Sequence, residues 1–303
     1  MPLILLALVV GLVGWSWGWI GMRRAVPHFG PGPLAFGRYT IAGLALLPLW
    51  WARGRPLPAR RDLPGVLAMG LLGFSIYNWT INAAQVTIPA GVASMIVSTI
   101  PVLTTVAAVL VFGERLSPSN WLGVAVAFGG VIVISLARTS VAGDWKGVAL
   151  LLIASVATMG YNLFNKSYLA RYRPLDLTTW AIWAGALGLL PVGLGLPARL
   201  ATAPAEPLAN LIALGLIPGA LCYVLYTWVL SQTSLARLSS TTFLIPVGVL
   251  VMASLGLADP PQPIEIGGGA VVLVGVWLAT RRPARRRPAP ALVEPDGGQP
   301  VGG

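Results

Sequence analysis

Long apolar runs alternate with short polar breaks along almost the whole chain of 303 residues. A helix needs about 20 consecutive apolar residues to cross a bilayer, and the breaks between the runs are rich in proline and glycine. The pattern predicts an all-α integral membrane protein with ten transmembrane helices. The predicted spans are 2–22, 34–51, 64–84, 90–112, 120–137, 147–168, 177–195, 208–229, 239–257 and 264–280. The segment 281–303 lacks apolar periodicity, and we expect it to be a disordered, basic, cytoplasmic tail.

The two halves of the chain repeat each other. Residues 246–276 match 101–131 at an offset of 145, with eleven identities in 31 positions, whereas chance would give about one position in ten. The first half, 1–140, holds five predicted spans, and the second half, 141–280, holds five more. Because five is odd, the second copy must enter the membrane from the opposite face. The prediction is therefore two inverted five-helix repeats, a design suited to alternating access.

Composition and charge support a membrane protein. The chain is 56% hydrophobic and 10% charged, with a net charge of +11, whereas soluble domains carry about a quarter charged residues. With the N-terminus inside, 14 of the 20 Lys and Arg residues lie in inner loops and the tail. The other 6 are assigned to the outer side, and they are Arg23, Arg24, Arg38, Arg138, Lys146 and Arg199. This asymmetry predicts that both termini are cytoplasmic, and it explains the positive charge without nucleic acid. The single cysteine, Cys222, excludes an intramolecular disulfide.

Polar side chains within the predicted spans indicate a hydrophilic cavity. Such groups cost free energy in lipid, so they face protein or water. In the third span they follow one helical stripe, and others cluster in the fourth, sixth, eighth and ninth spans. We predict that they bind a polar substrate, and the alternative is hydrogen bonding between packed helices. These candidate substrate-binding residues are Ser75, Asn78, Asn82, Ser98, Tyr161, Asn162, Tyr223, Tyr226 and Thr241.

Aromatic and cationic residues extend the candidate site. Trp17 and Trp79 are predicted to stack on an aromatic or cationic substrate, although tryptophans near a membrane interface commonly act as anchors. Arg23 and Lys166 are equivalent at an offset of 143. We predict that they attract a substrate carboxylate as gates of the two vestibules, and the alternative is snorkelling to the headgroups.

Prolines and glycines have predicted structural roles. Pro101 and Pro246 stand at equivalent positions of the fourth and ninth spans, where each is expected to bend its helix. The glycines of the fifth and tenth spans, including Gly130 and Gly275, predict close packing, either within the bundle or between protomers.

Several functions are disfavoured by the residues themselves. The chain has no G-x-x-x-x-G-K-[ST] stretch, so ATP hydrolysis is not expected. Its single histidine, His28, falls in an outer loop, and no Asp or Glu falls near the middle of a predicted span. We therefore expect no catalytic residues, no metal site and no cofactor. Without a buried acid, proton antiport, exchange and uniport all remain open as coupling modes.

Short motifs occur in a fixed order over residues 1–280. They are Trp17-Gly18, Arg38, Pro101, Gly113-Glu114-Arg115-Leu116, Trp121-Leu122-Gly123 and Gly130, with Ala258-Asp259-Pro260-Pro261 replacing the Gly-Glu-Arg break in the second half. In this order they resemble the EamA-type ten-helix transporters of the drug/metabolite transporter superfamily. The resemblance implies an inner-membrane exporter of small metabolites, such as amino acids, aromatic or drug-like compounds. Its expected partners are a small-molecule substrate and membrane lipid, in a monomer or homodimer. The alternative is a non-transport membrane scaffold or lipid-binding receptor.

Overall fold

The computed structural model describes residues 2–54, 56–100, 102–103, 107, 118–137, 144–233, 238, 241–242, 244–257 and 262–280. Within these residues the chain is helical and contains no strand. Three features singled out in the sequence, Pro101, Glu114 and the tail 281–303, lie outside the described residues.

The helices follow the order of the predicted spans. They are α1 (Pro2–Phe29), α2 (Pro31–Ala52), α3 (Leu63–Gly70, the π-helix Leu71–Ile76 and Tyr77–Ala84), α4 (Ala90–Val97), α5 (Pro118–Ala137), α6 (Trp145–Tyr168), α7 (Pro174–Gly193), α8 (Ala205–Leu214, the π-helix Gly215–Leu221 and Cys222–Gln232), α9 (Leu244–Met252 and the π-helix Ala253–Leu257) and α10 (Pro263–Thr280). A 3-10 turn, Arg60–Asp62, precedes α3, and a short helix, Leu196–Thr202, joins α7 to α8. Within the described residues, four helices, α1, α6, α7 and α8, are long and apolar enough to cross a membrane.

A single residue joins α1 to α2. The first span was predicted to end at residue 22, but α1 continues to Phe29. The apolar run marks the part of a helix that contacts lipid, and the backbone can stay helical after that run ends. Gly30 has a φ of 79°, a left-handed conformation that glycine adopts without steric cost. Its N–H donates to the Val26 carbonyl at 2.8 Å, and its own carbonyl accepts from the Leu34 N–H at 3.1 Å. Gly30 therefore ends one helix and begins the next.

The pairing of α5 with α10 shows how the two halves are related. A Cβ added to Gly130 would lie 2.7 Å from the Val272 nitrogen, and one added to Gly275 would lie 2.3 Å from the Ala127 nitrogen. As residue numbers increase along α5, the numbers of the residues that they contact in α10 decrease, so the two helices run antiparallel. At the offset of 145, Ala127 corresponds to Val272 and Gly130 to Gly275. Exchanging the halves reproduces the same contact, as a two-fold axis requires.

The two halves are interleaved, because helices of one half pack mainly on helices of the other. α1 of the first half packs against α8 and α9, and its equivalent α6 packs against α3 and α4. α2 packs against its own equivalent, α7. The outer face of the bundle is apolar, as at Leu5, Val9 and Val13 of α1, which are 64%, 48% and 55% exposed. A polar interior surrounded by an apolar surface suits a bundle embedded in lipid.

The third helix of each half contains a π-helical segment at the same place. Gly70 precedes the segment in α3, and its equivalent Gly215 opens the one in α8. A Cβ on Gly70 would lie 2.8 Å from the Ala181 carbonyl oxygen of α7, and one on Gly215 would lie 2.9 Å from the Arg38 carbonyl oxygen of α2. π-helical turns are rare and often mark functional sites, so these paired segments point to the region that lies between the halves.

Ion pairs connect the halves on the face predicted to be cytoplasmic. The Arg171 guanidinium lies 2.8 Å from an Asp62 carboxylate oxygen, and the Tyr172 hydroxyl donates to the other oxygen at 2.5 Å. Arg53 pairs with Asp176 at 3.1 Å. Arg53 and Asp62 flank the α2–α3 loop of the first half, whereas the other three residues belong to the second half. This inter-half ion-pair cluster therefore ties the two repeats together at one end of the bundle.

The stabilising contacts of the Asp62 carboxylate with Arg171 and Tyr172 are expected to weaken in acid. The hydrogen bond from Tyr172, together with the charge of Arg171, outweighs the opposing effect of burial and holds the pKa of Asp62 below its ordinary value of 3.8. A carboxylate with a lowered pKa in the folded state stabilises the protein above its unfolded pKa, and that contribution is lost as the pH falls through the lowered value. We expect the unfolding temperature of the wild type to exceed that of Asp62→Asn at pH 7, and the difference to shrink below about pH 4.

Thermal unfolding of the purified proteins between pH 7 and pH 3 measures this difference. The matched control is Glu206→Gln, because the Glu206 side chain is exposed on the first turn of α8. A gap between the wild type and Asp62→Asn that stays constant over the whole range would show that ionisation of Asp62 does not stabilise the fold.

Candidate functional site

A cavity lies between the two halves and receives equivalent residues from each. It contains about 940 Å³ of empty space, counting its open mouth. Seven pairs of lining positions are related by the repeat, at an offset of 143 for the first helices and 145 for the others. The pairs are Trp15/Thr158, Gly18/Tyr161, Trp19/Asn162, Gly73/Pro218, Asn78/Tyr223, Val97/Thr242 and Ile100/Ile245. The cavity is therefore centred on the pseudo-two-fold axis.

Several residues singled out in the sequence meet in this cavity, although they come from five different helices or their flanking residues. Those that line it are Asn78, Ser98, Tyr161, Asn162, Tyr223, Tyr226 and Pro246. The Tyr226 hydroxyl donates to the Asn162 side-chain oxygen at 3.0 Å. The buried hydroxyl of Thr158 also faces this region, and it has no hydrogen-bond partner among the described residues. It is therefore available to a polar group of a ligand.

Other candidate residues do not line the cavity, and their side chains bond backbone carbonyls elsewhere. The Ser75 hydroxyl donates to the Gly185 carbonyl of α7 at 2.7 Å, and the Asn82 amide donates to the Pro31 carbonyl of α2 at 3.1 Å. The Thr241 hydroxyl donates to the Leu238 carbonyl at 2.7 Å, beside a smaller apolar pocket. These contacts place Ser75 and Asn82 at helix interfaces, whereas the Thr241 hydroxyl bonds a carbonyl only three residues earlier in the chain.

The two predicted tryptophans also lie outside the lining. Trp17 is half-buried against the apolar core, and Trp79 is 42% exposed on the outer surface of α3. Trp15 and Trp19 line the cavity instead. Helical spacing separates Trp15 and Trp19 from Trp17, because residues four apart share a face while residues two apart do not.

Aromatic rings fill the wall of the cavity formed by α1 and α8. The Trp15 ring lies 5.5 Å from both Tyr223 and Tyr226 in edge-on arrangements. Its indole N–H donates to the Pro218 carbonyl at 3.3 Å, within the π-helical segment of α8. Phe74 packs behind, with its ring 4.7 Å from that of Tyr223. Edge-on pairs of this kind are favourable and orient the rings, so this wall offers a rigid apolar surface.

Arg38 was not among the substrate-binding residues predicted from the sequence, although it is the charged side chain in the described lining of the cavity. Arg38 was counted among the outer cations, but it is only 3% exposed and lines the cavity. Its Nη1 donates to the Asn78 side-chain oxygen and to the Met22 sulfur, both at 3.1 Å, and its Nε donates to the Leu214 carbonyl at 3.2 Å. Pro31 could have indicated that the second helix begins earlier than the predicted residue 34, because proline favours the first turn of a helix. A helix that begins there carries Arg38 two turns into the bundle.

Arg23 and Lys166 occupy equivalent positions and make equivalent bonds. Arg23 donates to the carbonyls of Gln85 and Val86 at the end of α3. Lys166 donates to the carbonyls of Leu230, at 3.1 Å, and Thr233, at 2.9 Å, at the end of α8. Cations stabilise helix C-termini, where carbonyls lack intrahelical partners. Neither side chain lines the cavity, and their predicted role in attracting substrate stays a prediction.

Comparison with known proteins agrees with this architecture. The EamA-like transporter family matches the chain twice, over residues 2–136 and 145–281. A probable terminal-alkyne amino-acid exporter of Streptantibioticus cattleyicolor is 33% identical over 93% of this chain and 94% of its own length. The uncharacterized transporter YdfC of Bacillus subtilis is 27% identical over 89% of this chain and 88% of its own. One solved crystal structure shares the fold, with a TM-score of 0.59 at 19% identity, and covers 90% of this chain and 98% of its own.

Proposed function

The chain belongs to the EamA-like transporter family, and from that premise we propose that it exports small amphipathic metabolites by alternating access through the cavity between its halves. It is a multi-pass membrane transporter and not an enzyme. The proposal adds the direction, the kind of substrate and the mechanism.

The observation that supports alternating access is that the cavity lies on the pseudo-two-fold axis. Each half contributes the same positions to the lining, such as Asn78 from one half and Tyr223 from the other. If the two halves exchange conformations, the opening moves to the opposite face while the lining stays the same. Inverted-repeat transporters bind their substrates at the repeat interface for this reason. The two repeats that exchange conformations are 1–140 and 141–280.

The direction and the class of cargo rest on two supports. The relative from Streptantibioticus cattleyicolor is named as a probable amino-acid exporter. The lining of this chain combines aromatic rings with amide and hydroxyl groups, which suits small molecules that have one polar end and one apolar body. We propose the inner membrane as the location, with both termini in the cytoplasm, because of the distribution of Lys and Arg along the sequence.

Flux measurements in proteoliposomes test the proposal. The reconstituted protein is expected to exchange radiolabelled phenylalanine, leucine or a related small acid saturably and faster than protein-free vesicles. A matched pair of variants controls for folding. Ser98→Trp inserts an indole into the cavity and is expected to reduce flux at least about tenfold, because the ring occupies the space where a ligand binds. Val13→Trp adds the same group to the outer face of α1, where Val13 is 55% exposed, and is expected to leave flux near the wild-type rate.

The alternative functions give a different result. A membrane scaffold or lipid-binding receptor would be correctly folded and still show no saturable flux with any member of a broad metabolite panel.

A further inference from the structure

We propose that Arg38 binds the carboxylate of the substrate, so that the cargo carries a carboxylate on an apolar or aromatic body. This inference rests on the proposed transport function and deepens it by naming the chemical class of the cargo. Two observations support it: the Arg38 guanidinium is buried without a described negative partner, and the described cavity lining contains no Asp or Glu.

The Arg38 guanidinium is buried without a negative partner in the described structure. A guanidinium has five N–H donors. In Arg38, Nε bonds the Leu214 carbonyl and Nη1 bonds Asn78 and Met22, which leaves both N–H groups of Nη2 without a described partner. The ion pairs among the described residues are Arg53 with Asp176 and Arg171 with Asp62, both in the loop cluster. A buried charge is costly unless it is paired, so an anion that enters the cavity gains a strong interaction.

The surrounding residues hold the guanidinium in place. The Asn78 side-chain nitrogen donates to the Gly73 carbonyl at 3.3 Å, in the π-helical part of α3, which turns the Asn78 oxygen towards Arg38. The Leu214 carbonyl comes from the residue before the π-helical segment of α8. The acceptors that orient Arg38 therefore lie beside the two π-helical segments: Leu214 directly precedes the segment of α8, and Asn78 is held by the Gly73 carbonyl of the segment of α3. A guanidinium fixed in this way presents its remaining N–H groups in a planar fork that suits a carboxylate.

The charge is confined to one wall of the cavity because the repeat has diverged there. Gly215 packs on the Arg38 carbonyl and its equivalent Gly70 packs on the Ala181 carbonyl, so Ala181 is the counterpart of Arg38. One half provides a cation where the other provides a methyl group. The aromatic wall of Trp15, Tyr223 and Tyr226 remains for an apolar body.

Cationic compounds are disfavoured by the same arrangement. The described lining contains no Asp or Glu, so a substrate ammonium finds no described carboxylate, and it also meets the like charge of Arg38. Like charges in a low-dielectric site repel strongly. We therefore expect affinity to follow the order anion, neutral isostere, cation.

Binding of three isosteric probes to the full-length purified protein tests this order. The probes are 3-phenylpropanoate, 3-phenylpropanamide and 3-phenylpropylamine, which share a phenyl body and differ at one end. In the wild type we expect the anion to bind at least about tenfold more tightly than the amide, since hydrogen bonds between charged groups are about twice as strong as neutral ones. In Arg38→Gln the ratio is expected to approach one, and Arg38→Lys is expected to keep part of it.

The control variant is Arg24→Gln, which removes an exposed arginine from α1 and is expected to keep the wild-type ratio. Equal binding of anion and amide to the wild type would overturn the inference, and that measurement needs no variant to fold. Tighter binding of the amine would also overturn it. Saturable flux without anion preference would overturn the inference and leave the transport function standing. Anion preference without flux of any compound would support the inference and overturn the transport function.

Discussion

Gly130→Ala is expected to destabilise the protein by about 1–3 kcal/mol, whereas Gly129→Ala on the same helix is expected to change stability by less than about 0.5 kcal/mol. The new methyl group at position 130 would lie 2.7 Å from the backbone nitrogen of Val272 and 3.0 Å from the Gly268 oxygen. A backbone atom cannot rotate aside as a side chain can, so α5 and α10 would have to separate. At position 129 no described atom outside the surrounding turns of α5 lies within 4 Å of the added carbon.

The equivalent experiment on α10 tests the same packing from its other side. Gly275→Ala places its methyl group 2.3 Å from the Ala127 nitrogen, while the methyl group of Gly267→Ala has no atom of another described helix within 4 Å. Thermal unfolding in detergent should therefore divide the four variants into two destabilised and two near-neutral proteins. Four equal unfolding temperatures would show that α5 and α10 do not pack closely. The glycines of these spans predicted close packing from sequence, and the structure places it within the bundle.

Trp15→Ala is expected to raise the KM for an aromatic substrate at least about tenfold in reconstituted vesicles, because it removes the ring that orients Tyr223 and Tyr226. Each edge-on pair contributes about 0.5–1.5 kcal/mol beyond the area that it buries. The same substitution at Trp79 is expected to leave the KM unchanged, because that ring is 42% exposed on the outer surface. Trp15→Phe keeps a ring at the position, so its KM should lie between those of Trp15→Ala and Trp79→Ala.

Transport kinetics of the three variants, normalised to the amount of reconstituted protein, give the comparison. Equal KM values for Trp15→Ala and the wild type, or a larger effect at Trp79, would show that the aromatic wall does not contact the cargo. A fall in the amount of folded Trp15→Ala is corrected by the normalisation and leaves the KM interpretable.

The sequence predicted the general architecture well because its signals are long. An apolar run of about 20 residues reports a membrane helix with little dependence on its neighbours, and a repeat over 31 positions is hard to produce by chance. The arrangement of helices between the halves, with α1 on α8 and α9, cannot be read in this way. It depends on contacts between segments that are far apart in the sequence, such as Trp15 with Pro218.

The candidate site was predicted only in part, and the third span shows why. Ser75, Asn78 and Asn82 were placed on one stripe by assuming 3.6 residues per turn. The structure directs Ser75 to α7, Asn78 into the cavity and Asn82 to α2. The π-helical segment Leu71–Ile76 has a wider turn, so Ser75, which lies within it, is rotated relative to Asn78 and Asn82, which follow in regular α-helix and both bond residues of α2. A periodicity argument cannot detect this change.

The contact between α5 and α10 has a consequence for how the molecule evolved. Ala127 meeting Gly275 while Gly130 meets Val272 is what two identical half-length chains make when they insert opposite ways up and associate. In such a homodimer every substitution appears twice. Joining the copies into one polypeptide removes that restriction, so a residue can change on one side alone. Arginine at position 38 facing alanine at position 181 is a difference that only the fused gene can hold.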